Sequence, residues 1–173
     1  AEIKLIKSEE KFRGIFDNAG VGIAHVALNG QFIKVNAQFC KITGYPYKKI
    51  TQLRYQDITL PKDIDTDKEL IEKLLAGEIE NYAIEKQYYK GDGTQAWIHL
   101  TISLISTQQG EPDYFIAIIK DITRNKEIEK ERLELIHDLG ERVKEINCLF
   151  KVNEAIRKHN SLENLLEEVV RFL

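Results

Sequence analysis

From Arg124 to about Lys158 the chain carries no turn signal except Gly140, and its charge is dense. A run of that kind reads as one long helix. Stepping by four and three from Ile128 lands on Arg132, Leu135, Leu139, Arg142, Ile146, Leu149, Asn153 and Ile156. The apolar members, Ile128, Leu135, Leu139, Ile146, Leu149 and Ile156, form the seam of a parallel coiled coil. The two arginines and the asparagine interrupt it and set its register. This spacing predicts a homodimer held by the C-terminal helix; the alternative is a helix folded back on its own domain. Ser161 is expected to cap a second amphipathic helix carrying Leu162, Leu165, Leu166, Val169 and Val170.

Before residue 124 the texture differs. Ser8 is expected to cap an amphipathic helix with Phe12, Ile15 and Phe16 on one side, ended by Asn18-Ala19-Gly20. Val21 to Leu28 reads as a strand, Asn29-Gly30 as a hairpin turn, and Gln31 to Val35 as the return strand. Asn36 caps a short helix that Gly44 ends. Pro46 opens a further helical turn. Asp63 caps a helix with Leu70, Ile71, Leu74 and Leu75 on one face, closed by Gly77. Three strands follow, Tyr82 to Lys90, Thr94 to Ser106 and Tyr114 to Ile122, separated by Gly91-Asp92-Gly93 and by Gln108 to Pro112. Strands joined by tight turns are antiparallel. The expected fold class is α+β: a five-stranded antiparallel sheet with short helices on one face, plus a long C-terminal helix.

Composition narrows the function classes. The chain has 173 residues and a net charge of −3, which gives no drive toward nucleic acid or anionic lipid. No apolar run is long enough to span a bilayer, and the first residues lack a signal peptide's basic head and apolar stretch. Cys40 and Cys148 stand alone, outside any ligand spacing, so no metal site is expected and a cytoplasmic setting is. Methionine is absent and the chain stops in mid-pattern at Val169-Val170-Arg171-Phe172-Leu173. It therefore reads as a piece of a longer protein. Neither a nucleophile with its base nor a glycine-rich phosphate loop is present, so this piece is expected not to be an enzyme.

An ordered set of motifs carries a family resemblance. Ser8-Glu9-Glu10-Lys11-Phe12-Arg13, Phe16-Asp17-Asn18-Ala19, Val21-Gly22-Ile23-Ala24, Val35-Asn36 and Ile42-Thr43-Gly44-Tyr45 come first. Asp57-Ile58-Thr59, Pro61-Lys62-Asp63, Tyr89-Lys90-Gly91-Asp92-Gly93, Trp97 and Asp121-Ile122-Thr123-Arg124 follow. Over residues 8 to about 126 this order resembles a bacterial PAS domain with its PAC motif. From Glu141-Arg142-Val143-Lys144-Glu145 onward the chain resembles the signalling helix of sensor kinases. Leu149-Phe150-Lys151-Val152-Asn153 with Leu162-Glu163-Asn164-Leu165-Leu166 resembles the start of a GAF domain. The expected division is a lead at 1–7, a PAS sensory domain at 8–123, a signalling helix at 124–158 and a truncated GAF-like start at 159–173.

The resemblance implies a sensory and dimerisation module of a multidomain bacterial signalling protein, with a sensor histidine kinase of a two-component system as the expected parent. A diguanylate cyclase or phosphodiesterase is the alternative parent. A phosphotransfer helix with His137, before Asp138, as phosphoacceptor is the alternative role. Family haem sites place a ligand histidine on the helix after Pro61, and residues 64–75 contain none. Photoactive flavin relatives carry a cysteine near Leu53 to Asp57, and none is there. Flavin sites also present an amide where Ile119 stands. Haem and a covalent flavin adduct are therefore not expected.

Period two in the long strand puts Ile98, Leu100, Ile102 and Leu104 opposite Trp97, His99, Thr101 and Ser103. By resemblance the first set faces the helices, and Ile98, Leu100, Ile102, Phe115, Ala117, Ile119, Ala24 and Val26 form a pocket wall, with Tyr88 as its polar group. Such a wall suits a small apolar ligand or a core packed on itself. His25 and His99 fall on the outer face, and Cys40 is read as a structural thiol. Trp97, Asp121, Ile122 and Thr123 are the expected coupling residues between the last strand and the output helix. Partners are then a second copy and the downstream domains of the parent, with no nucleic acid and no membrane in this segment.

Overall fold

The computed structural model describes residues 2–171. The chain divides at Lys126/Glu127 into two compact units. The first contains α1 (Glu2–Asn18), β1 (Gly22–Ala27), β2 (Phe32–Val35), α2 (Ala37–Thr43), α3 (Tyr47–Ile50), α4 (Tyr55–Ile58), α5 (Pro61–Leu75), β3 (Asn81–Tyr89), β4 (Gln95–Ser106) and β5 (Pro112–Asp121). The helix α6 (Thr123–Arg171) starts in this unit and forms the second.

The strands make one antiparallel sheet in the order β2-β1-β5-β4-β3. The last strand is therefore the middle one, bonded to β1 on one side and β4 on the other. Its handover to α6 thus starts from a strand held on both sides. All three hairpins close with the same loop. Gly30, Gly93 and Gly110 have φ between +85° and +89° and donate to the carbonyls of Ala27, Lys90 and Thr107. Each is a three-residue connection with glycine in the left-handed position. The two-residue Asn29-Gly30 turn is thus corrected: Asn29 keeps negative φ, Leu28 joins the loop, and the Asn29 carboxamide oxygen accepts from the Gln31 N–H at 3.0 Å.

Several helix ends also differ from expectation. α1 runs through Ser8, because Glu2 to Lys7 are competent helix formers and leave Ser8 no extended residue before it. The expected lead at 1–7 is helical from Glu2. α5 starts at Pro61 with Leu60 at the cap position, and Asp63 sits in the first turn. α6 continues without a break across Ser161, where a new helix was expected. α4, four residues long, had no counterpart in the sequence reading. Its first turn is closed by the Asp57 carboxylate, which accepts from the Arg54 N–H at 2.7 Å.

Asn36 ties three elements together. Its side-chain oxygen accepts from the N–H groups of Phe39 and Ile23, both at 2.9 Å. Its amide donates to the carbonyls of Phe16 at 2.8 Å and Val21 at 3.0 Å. The end of α1, the start of β1 and the cap of α2 thus share one buried side chain. Asn36→Ala is expected to cost about 2–3 kcal/mol, a lost cap plus buried backbone groups left unpaired. Urea unfolding followed by Trp97 fluorescence measures it.

Candidate functional site

The inner face of the sheet meets α2 to α5. Ala24, Val26, Tyr88, Ile98, Leu100, Phe115, Ala117 and Ile119 are all buried there, and Ile102 packs against them half-buried. Val26, Ile102 and Phe115 line a cavity of about 80 Å³, together with Leu28 and Ile71. Asn29, Gly30, Tyr55 and Gln56 form its more polar side. The other expected wall residues lie in the packed core beside it.

What the sequence reading missed is the charge in this core. On β3 the inward side chains are Tyr82, Ile84, Lys86 and Tyr88, and Lys86 is only 2 % exposed. Asp67 of α5, 1 % exposed, takes its ammonium in a buried ion pair. The Lys86 Nζ also donates to Thr59 Oγ1 at 3.3 Å and stands 4.9 Å from the Tyr88 ring centre and 5.8 Å from that of Tyr55. Burial pushes Asp67 up from the ordinary carboxylate range, with Lys86 pulling back. Burial pushes Lys86 down, again opposed by its partner. Tyr55, Tyr82 and Tyr88 are all raised, first by burial and then by the Asp67 charge, so they remain neutral hydroxyls. Asp67 Oδ1, Tyr82 Oη and Gln56 Oε1 are buried without a hydrogen-bond partner.

The expected coupling residues do meet. β5 ends at Asp121, whose carboxylate accepts from the Thr123 N–H at 2.9 Å. The Thr123 hydroxyl accepts from the Trp97 N–H at 3.0 Å, and the Ile122 N–H donates to the Trp97 carbonyl at 2.9 Å. The Trp97 ring lies 5.5 Å from Lys62 Nζ of α5 and from Lys126 Nζ of α6. Lys126 also pairs with Glu85 of β3 at 2.7 Å. The start of α6 is thereby bonded to two strands.

His25 faces outward as expected, but it is half-buried under α1, with its ring 5.9 Å from that of Phe16 and 5.0 Å from that of Tyr114. Burial, and then Lys34, lower its pKa. His99 and His137 are exposed. Cys40 is half-buried, and burial raises its thiol pKa. Among the described residues no cluster of potential metal ligands occurs, and no helix is long and apolar enough to cross a membrane. On α6, Ile128, Leu135, Leu139, Ile146, Leu149 and Ile156 are each at least half exposed.

A five-stranded antiparallel sheet, four helices on one face and a helix leaving the middle strand define an α+β class. The profile of the PAS domain family matches residues 18–124, and the chain belongs to that family. It is 36 % identical over 78 % of its length to the Escherichia coli protein named "Probable diguanylate cyclase DgcE". It is 28 % identical over 80 % of its length to the sensor histidine kinase TmoS of Ectopseudomonas mendocina. The matched segments span 13 % and 14 % of those relatives' own lengths. The crystal structure of the PAS domain of an HTR-like protein from Haloarcula marismortui shares the fold, with a TM-score of 0.60 at 21 % identity, covering 70 % of this chain and 97 % of that one.

Proposed function

We propose that this chain is the sensory and relay module of a multidomain signalling protein, binding a small ligand in its core and passing the change to a dimeric α6. The observation that carries this reading is the junction. The middle strand runs into α6 through Asp121, Ile122 and Thr123, and the Trp97 main chain bonds the Ile122 N–H and the Thr123 hydroxyl at the step. A displacement of β5 or of the α5 start, where Lys62 meets the Trp97 ring, reaches the first turn of α6 with no flexible linker to absorb it. The inner-face residues from Ala24 to Ile119 act as the sensing wall. The piece itself carries no catalysis; the output belongs to domains of the parent.

The seam residues supply the dimer contact. Six apolar side chains repeating at heptad spacing and exposed in the single chain are the surface a second copy would bury. A sensor histidine kinase is the first parent proposed. The 36 % identity to a protein named as a diguanylate cyclase favours the cyclase as a second parent reading. Leu139→Asp with Ile146→Asp tests the contact in the whole chain, since neither side chain belongs to the folded core. Sedimentation equilibrium is expected to show a dimer for the parent sequence and at least about a hundredfold weaker association for the variant, from two buried charges in the seam. Equal association would place the dimer contact elsewhere.

A further inference from the structure

Among the described residues, the side-chain N and O atoms buried without a partner are Gln56 Oε1, Asp67 Oδ1 and Tyr82 Oη. They come from α4, α5 and β3, and the first two of these elements also line one cavity. Gln56 lines the cavity directly, beside Tyr55. Ile71, also in the lining, is one helical turn from Asp67 and so on the same side of α5. Ile102, again in the lining, is the cross-strand partner of Tyr82 on the same sheet face. An orphaned acceptor costs stability when buried, and Gln56 Oε1 on the wall of a cavity is an arrangement that a ligand with a donor hydrogen relieves.

We propose that this cavity binds a small uncharged molecule with a short apolar body and a hydrogen-bond-donating head, a primary carboxamide or an alcohol. This rests on the reading of the core as a sensing pocket and specifies what that pocket takes. The head donates to Gln56 Oε1, and the body lies on Val26, Ile71, Ile102 and Phe115. Size follows from the volume: an apolar cavity of about 150 Å³ takes benzene, so about 80 Å³ takes a molecule of only a few heavy atoms. Charge follows from the ion pair. Asp67 and Lys86 neutralise each other, so a cation or an anion entering beside them would be buried with no counter-ion. An acceptor-only head would face the Gln56 oxygen lone pairs with nothing to donate.

The test uses four three-carbon probes, propionamide, 1-propanol, propionate and propylammonium, titrated into the whole ¹⁵N-labelled chain and read by amide shifts. Propionamide and 1-propanol are expected to give saturable shifts centred on Gly30, Gln56 and Phe115, and propionamide to bind at least about tenfold more tightly than either ion. Gln56→Leu, which removes an acceptor that has no partner, is expected to keep the fold and bring propionamide within about twofold of the ions' weak binding. Two results overturn the proposal in different ways. Propionate or propylammonium binding as tightly as propionamide would refute the head-group assignment and leave the pocket. Absence of saturable binding by any of the four would remove the assignment and the sensing pocket together.

Discussion

Lys86→Met is expected to destabilise the core by about 3–5 kcal/mol, the largest single-residue effect in the domain. Methionine matches the length of the lysine stem, so packing changes little. What changes is Asp67, which keeps a carboxylate 1 % exposed and loses the ammonium that compensates it. The double variant Asp67→Leu/Lys86→Met removes both charges and is expected to return to the parent stability or exceed it by about 1–4 kcal/mol. Urea unfolding followed by Trp97, the single tryptophan, separates these outcomes.

The single variant carries a pH signature. Burial already raises Asp67 in the native chain, and without Lys86 the rise is larger. The folded state of Lys86→Met then binds a proton that the unfolded state, at about 3.9, releases. Its stability therefore rises as pH falls from the raised folded value toward about 4, and is flat below. A variant equally unstable at neutral and acid pH would mean that packing rather than charge had been lost.

That ion pair shows where sequence legibility ended. Period two from Tyr88 runs through Lys86, Ile84 and Tyr82, so the strand pattern already put a lysine on the inner face. Asp67 precedes Leu70, Ile71 and Leu74 by three, four and seven residues, which puts it on the buried stripe of α5. Each alone reads as a solvated charge breaking a stripe. Only the packing of α5 on β3 brings them together, and nothing within either element states that contact.

The sheet was more accessible. Alternation in β4 and glycine spacing in the hairpins act within a few residues, and the structure places Ile98, Leu100, Phe115, Ala117 and Ile119 on the expected face. Helix starts were less so. Ser8 and Ser161 both read as caps in the sequence, but a cap needs an extended residue, and a helix runs unbroken through each of them. α4 is too short for periodicity to register. Asp121 was legible as the cap of α6 because a polar residue between a strand and a helix has few other tasks.

The second large effect is expected at that junction. Asp121 is exposed, and its structural task is to accept the Thr123 N–H at 2.9 Å. Losing such a cap costs about 1 kcal/mol. In a domain of ordinary stability this leaves unfolded material on the order of 0.1 % or less, so protein abundance barely changes. Its effect on signalling is expected to be far larger, because the same bond fixes the first turn of α6 to the end of the middle strand. The direct measurement is the stimulus-dependent output of the full-length parent carrying Asp121→Ala, with unfolding of the same protein measured alongside. A loss or locking of the stimulus response at a stability cost near that of one cap is the predicted result. A full, unchanged response in protein shown to be folded would reduce Asp121 to a helix cap and contradict the relay.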